Sequence, residues 1–242
     1  YDQEIVEKLV GISREKGIDI RMNFPFKGVQ KQADGSILID GGDAGVIETD
    51  LLMWAIGRVP NTANLGLEEV GVSLDATGAV VVGADNRTNI ESIYAVGDVT
   101  NRVQLTPVAI REGHAFADSV FGNNPRTIDY GCIPTAVFSN PPIAGVGLTE
   151  EEARAKLADV KIYRSDFRAM KNVLAGRNER ALYKMIVDGA TDKVVGLHLI
   201  GPDSGEILQA AAIAVKAGLT KQAFDDTVAL HPSMAEELVL MK

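Results

Sequence analysis

His231-Pro232-Ser233-Met234-Ala235-Glu236-Glu237 sets one of only three histidines five positions ahead of a carboxylate. A carboxylate that holds one ring nitrogen fixes the tautomer and raises the basicity of the other, which suits an imidazole to proton transfer. Proline fits the first position of a helix, where its preset φ helps and its missing N–H is not needed. The segment is therefore expected to open a short helix, with His231 at its mouth and Glu236 one turn inside. A second reading stands beside this one. Ser233-x-x-Glu236 has the spacing of a capping box, which would commit Glu236 to the backbone.

Three further places could bind a ligand. Gly97-Asp98 follows the apolar run 90–96. Ligands of doubly wound sheets sit beyond the carboxyl ends of strands, where an aspartate can accept hydrogen bonds from sugar or ribityl hydroxyls. Asp98 reads equally well as a turn residue. Thr106-Pro107-Val108 opens a helix expected to run to Phe121, with Thr106 as the capping residue and Gly122 and Pro125 after its end. The free N–H groups at such a start carry roughly half a positive charge. They would stabilise negative charge on the pyrimidine edge of a flavin during reduction; an ordinary helix start has the same residues. Gly57-Arg58 offers a close backbone approach and a guanidinium suited to phosphate or to a nicotinamide-side contact.

Composition closes off other classes. Over 242 residues the net charge is −9, from 24 basic and 33 acidic side chains, which argues against a nucleic-acid binder. No apolar run approaches the ~18 residues of a membrane span, and no secretory leader is visible. The lone Cys132 rules out an internal disulfide, points to a reducing, cytoplasmic setting, and reads as a small buried residue. No metal is expected, because His114, His198 and His231 lack partners at ligand spacing. His198 lies in an alternating strand and reads as structural. There is no GxGxxG; residues 41–45 form a glycine-rich hairpin loop between strands.

These groups must be held by elements. Residues 1–16 read as a helix, with Ile5, Leu9 and Ile12 on one face and Gly17 closing it. Since the chain opens inside this pattern, on Tyr1, it is expected to be part of a longer protein. Strands are expected at 18–22, at 26–32 and 36–40 around the Asp34-Gly35 turn, and at 46–49. The unbroken apolar run 51–56 suits a central strand covered on both faces. Strands are also expected at 79–82 and 90–96. The pattern changes near residue 130. Beyond it, strands at 135–138, 143–147, 160–167, 181–187 and 194–199 mix with a capped helix at Thr149, an apolar helix at 203–217 and a short one after Thr220. This is an α+β unit with an antiparallel sheet.

The order of four stretches carries a resemblance: 55–62 (AIGRVPNT), 93–99 (IYAVGDV), 105–109 (LTPVA) and 231–237 (HPSMAEE). Together they resemble the flavin-dependent pyridine nucleotide–disulfide oxidoreductases, within them the glutathione-reductase branch of bacterial and plant type, which residues 167–172 (FRAMKN) support. The resemblance implies α/β plus α+β architecture in three segments. These are the closing part of an NADPH-binding domain (1–60), a central FAD-contacting segment (61–131) and an α+β dimerisation domain (132–242). It implies FAD and NADPH as cofactors, a homodimer, and glutathione disulfide as substrate. Asp98, after Gly97, would hold the flavin ribityl chain, and Thr106 would sit at its pyrimidine edge. Gly57 and Arg58 would lie beside NADPH, with Gln104 near the nicotinamide. His231 would protonate the departing thiolate in the neighbouring subunit, oriented by Glu236. Phe167, Met170 and Glu237 would line the disulfide site. His114 departs from the pattern, standing where vertebrate members place an arginine. The redox-active CxxxxC pair of the family is absent from this chain. Two other readings stand: an inactive dimerisation or binding fragment, or a sister enzyme. Among sister enzymes, dihydrolipoamide dehydrogenase carries His-x-His-Pro, whereas Ala229 stands here; trypanothione and glutathione-amide types stay open.

Overall fold

The computed structural model describes residues 1–242. In chain order the elements are α1 (Gln3–Glu15), β1 (Gly28–Lys31), β2 (Ile37–Asp40), β3 (Val46–Thr49), α2 (Thr106–Val120), β4 (Thr135–Val137), β5 (Ile143–Gly147) and α3 (Glu150–Lys156). Then follow β6 (Val160–Phe167), α4 (Met170–Leu174), β7 (Ala181–Asp188), β8 (Val194–Ile200), α5 (Ser204–Lys216), α6 (Lys221–Asp225) and α7 (Glu237–Leu240). They gather into two compact units. One joins Tyr1–Asn23 to Tyr130–Lys242; the other is Phe24–Asp129.

The first unit is built on a wholly antiparallel sheet ordered β4-β5-β8-β7-β6. Side chains alternate between its faces. Tyr183, Met185 and Val187 of β7 pack with Leu197 and Leu199 of β8 against Leu208, Ala212 and Val215 of α5. The intervening Leu182 and Ile200 join Ile143 on the opposite face, which Ile5, Leu9 and Ile12 of α1 cover. Helices on both faces explain why β7 is buried along nearly its whole length.

Two polar side chains share the α1 face. Lys184 and His198 are register partners on β7 and β8. Lys184 Nζ lies 2.9 Å from Asp2, 2.9 Å from Glu4 and 2.7 Å from Glu150. Asp2 also caps α1 through the Glu4 N–H and accepts from the Glu150 N–H, each at 3.1 Å. Burial alone would raise the Asp2 carboxyl, but hydrogen bonds from Lys184 and Glu150 outweigh it and hold the group below its ordinary range. Burial likewise works against the Lys184 ammonium, and its three carboxylates more than offset this, so its pKa rises. His198 is structural, as the alternation suggested. Its Nε2 meets the Leu148 carbonyl at 2.8 Å, and burial pushes the imidazole down. Thr149 and Glu152 form the expected capping box at the start of α3. Cys132 is half-buried at the edge of the core.

In the second unit β1, β2 and β3 form an antiparallel sheet. The Asp34-Gly35 turn stands as expected, with Gly35 at φ +95°. Residues 42–44 make a one-turn 3-10 loop between β2 and β3.

Several expected strands are absent. Residues 18–22 and 51–56 are irregular, with Leu51 80% and Ile56 85% exposed. An apolar run becomes a central strand only where neighbours pair with it and layers cover it; this chain supplies neither there. Residues 79–82 and 90–96 are reduced to single bridges, Leu74 with Val80 and Arg87 with Tyr94. Thr106 is already the first helical residue of α2, behind Leu105, so it does not cap the helix.

Candidate functional site

The 231–237 segment belongs to the first unit. Pro232 does not begin a helix, contrary to the sequence expectation. The His231–Pro232 bond is cis, and α7 starts only at Glu237. Residues 233–236 close a turn first. The Glu236 N–H donates to Ser233 Oγ at 3.2 Å, and the Ser233 N–H donates to Glu236 Oε1 at 3.4 Å. The other carboxylate oxygen, Oε2, accepts from His231 Nδ1 at 2.9 Å. Glu236 therefore makes both sets of bonds, one on each oxygen, although its reciprocal pair with Ser233 closes a turn and caps no helix. The His231 side chain is 65% exposed and Glu236 only 13%. A shielded carboxylate thus holds Nδ1 of an accessible imidazole, which leaves Nε2 as the ring nitrogen outside that bond.

The segment is pinned on its far side. Leu238 and Met241 enter the core, and Lys221 Nζ donates to the Met241 carbonyl at 2.9 Å. Ser165 of β6 donates to Glu237 Oε2 at 2.6 Å. Phe167, two residues further along β6, stacks edge-on against Tyr183 with centroids 5.0 Å apart, so part of its ring belongs to the core. Met170 opens α4 and is exposed. Ser165 was not foreseen; 72 residues separate it from Glu237, and nothing local marks the pair.

In the second unit, Gly97–Thr100 form a 3-10 turn against α2. Gly97 has φ +75°, and a Cβ there would come within 3.0 Å of the Ala109 side chain. Only glycine lets this turn approach the helix so closely. The Gly97 N–H donates to the buried Glu112 carboxylate. Asp98 is left exposed beside Arg58, 3.6 Å away, an open ion pair worth little by itself. Gly57 lies in open space at φ +131°. Gln104 donates to Asn101 at 2.9 Å. Helix α2 starts without a side-chain cap; Pro107 has no N–H and the Val108 N–H turns back to the Leu105 carbonyl at 3.0 Å, which leaves the Thr106 N–H as the donor at this start. Exposed Thr106 stands at that start, and His114 lies two turns on, also exposed. An uncapped helix start, an exposed carboxylate in an open ion pair and a side-chain-free turn together form a set of donor and acceptor groups on one side of this unit's α2.

Residues 1–113 match the family described as "Pyridine nucleotide-disulphide oxidoreductase", and residues 133–242 match its "dimerisation domain". The chain is 48% identical to a glutathione reductase of Burkholderia cepacia, covering 100% of this chain and 54% of that protein. It is 41% identical to the trypanothione reductase of Trypanosoma congolense, covering 99% of this chain and 48% of that one. Among solved structures, the HOCl-induced flavoprotein disulfide reductase RclA of Escherichia coli superposes with a TM-score of 0.88 at 29% identity, over 98% of this chain and 54% of that one. The chain thus spans about half the length of the relatives it matches. Matches that run in order through nearly all its residues show that the chain belongs to the pyridine nucleotide-disulphide oxidoreductase family.

Proposed function

We propose that this chain is the carboxyl-terminal part of a flavin-dependent, NADPH-driven glutathione-disulfide reductase. Residues 1–60 would close an NADPH-binding domain, 61–131 would contact FAD, and 132–242 would form the interface of a cytoplasmic homodimer. The observation that carries the reading is the His231–Glu236 pair, an accessible imidazole held at 2.9 Å by a shielded carboxylate. The 48% identity to a glutathione reductase supports the substrate.

FAD, when bound, supplies the route by which electrons from NADPH reach an enzyme dithiol. In this reading Asp98 accepts hydrogen bonds from the ribityl hydroxyls. The start of α2 would offer the Thr106 N–H and the positive end of its dipole to the pyrimidine edge. Gly57, Arg58 and Gln104 face the nicotinamide side. The dithiol comes from residues outside this chain. One thiolate attacks a sulfur of glutathione disulfide, forming a mixed disulfide as the S–S bond breaks. The departing glutathione thiolate takes a proton from His231 Nε2, while Glu236 stabilises the imidazolium. Phe167, Met170 and Glu237 line the disulfide, and His114 contacts a glutathione carboxylate.

In the full-length enzyme, His231→Gln should lower turnover of glutathione disulfide about 10²–10⁴-fold. Flavin reduction by NADPH, followed by stopped-flow absorbance, should be unchanged. Equal loss of both steps would refute the role. The chain by itself should be colourless and inactive. The relative named trypanothione reductase keeps a sister specificity in view; turnover of the two disulfides side by side decides between them.

A further inference from the structure

Ser165 lies on β6 directly across from Tyr183, which is fully buried. Its hydroxyl donates to Glu237 Oε2 at 2.6 Å. A short bond to a carboxylate is among the stronger hydrogen bonds a neutral side chain can make. The strand beneath is fixed on one side: β6, at the edge of the sheet, pairs with β7 over its full length. The Tyr183 hydroxyl is buried there without a hydrogen-bond partner. Burial pushes its phenol up, and the nearby charges of Asp203 and Glu237 push it the same way. The surface under Glu237 is therefore a fixed, uncharged floor.

Above that floor the histidine segment is held from both ends. Leu238 and Met241 anchor the chain on the carboxyl side of Glu237. On the amino side, Met234 packs against the core and the Glu236 carbonyl accepts from the Val239 N–H at 3.0 Å, while the side chains of His231 and Glu236 are held within the segment, through the turn at Ser233 and the His231–Glu236 bond. Glu237 is where β6 grips this turn by a directional bond, and it is covalently next to the carboxylate that orients the imidazole.

We infer that Ser165 is a positioning residue for proton transfer: by fixing Glu237 it sets the placement of Glu236, and so the direction in which His231 presents Nε2. The inference rests on the reading of His231 as the acid. Proton transfer tolerates little error in placement; a misplacement of about 1 Å can cost about 10²-fold in rate.

The test uses the full-length flavoprotein. Ser165→Ala should lower kcat with glutathione disulfide about ten- to hundredfold while flavin reduction by NADPH keeps its rate. Ser165→Thr keeps a hydroxyl and suits a strand, and should restore kcat to within about threefold. In the nitrogen spectrum of labelled histidine, His231 should give the same pair of ring-nitrogen shifts in the parent and in the threonine variant. The pair should move in the alanine variant. If alanine at this position weakens the fold, Ser165→Cys, of similar volume, is measured in the same way. Unchanged kcat in Ser165→Ala, with His231→Gln still crippling turnover, overturns the role of Ser165 alone. Intact turnover in His231→Gln removes the reading beneath it. Parallel loss of flavin reduction in Ser165→Ala also overturns the inference, because a general structural defect would do that.

Discussion

Glu236 works with two oxygens that have separate tasks, one on the imidazole and one on the Ser233 backbone. Removing the whole carboxylate frees both groups; replacing it with an amide removes charge but retains an acceptor. Glu236→Ala in the full-length enzyme should therefore lose about ten- to hundredfold in turnover of glutathione disulfide, and Glu236→Gln clearly less. Steady-state kinetics on the two variants measures this, and identical losses would mean that the charge facing the ring is all that Glu236 supplies and the acceptor on the turn counts for nothing. The His231–Glu236 pair was legible because its partners are five residues apart. The link from Ser165 to Glu237 was not. It arises only when β6 is laid beside the end of the chain, and serine on a strand carries no mark of its future partner.

The buried ion cluster ties α1, α3 and β7 together. Lys184 is only 2% exposed and faces three carboxylates. Its loss would leave Asp2 buried without its cation. Lys184→Ala should destabilise the unit by about 3–5 kcal/mol, read from chemical unfolding. The pH dependence follows from the shifts. The Asp2 and Glu150 carboxyls are lowered in the folded state, Glu150 because bonds from Lys184 and Arg154 outweigh its burial. Their contribution is present above the unfolded values near 4 and fades as pH falls through the folded ones. Lys184 is raised, so its contribution holds below about pH 10 and fades as pH rises through the folded value. Thermal scans should show a plateau between these limits, and Lys184→Met should blunt both edges. A parent-like profile in that variant would locate the titration elsewhere. The strands of this unit were readable because alternation and apolar runs coincide with real neighbours; β6, β7 and β8 lie where the pattern placed them. Residues 51–56 and 90–96 carry similar patterns without the neighbours. Apolarity prescribes burial, and only pairing decides whether burial takes the form of a strand.

At the scale of the whole molecule, α5 offers a test that separates folding from the proposed association. Leu208 is 1% exposed in the core, while Ile213 on the same helix is 70% exposed. Leu208→Asp should unfold the first unit, a loss of several kcal/mol for a charge placed in the core. Ile213→Asp should leave the melting temperature near the parent value and weaken the proposed dimer. Sedimentation combined with calorimetry distinguishes these; an unchanged dimer in Ile213→Asp would exclude that face from the interface. The first unit is also discontinuous. Asp2 meets Lys184 although they are 182 positions apart, and Phe24–Asp129 form a body of their own between them. A ribosome delivers these pieces in the opposite order to their need. Helix α1 emerges early with its carboxylates uncompensated, and the groove that receives it is complete only when β8 has left the exit tunnel. Nascent chains stalled short of β8 should therefore exchange the amide hydrogens of α1 freely, and chains stalled beyond it should protect them; early protection would show that this helix finds another partner during synthesis.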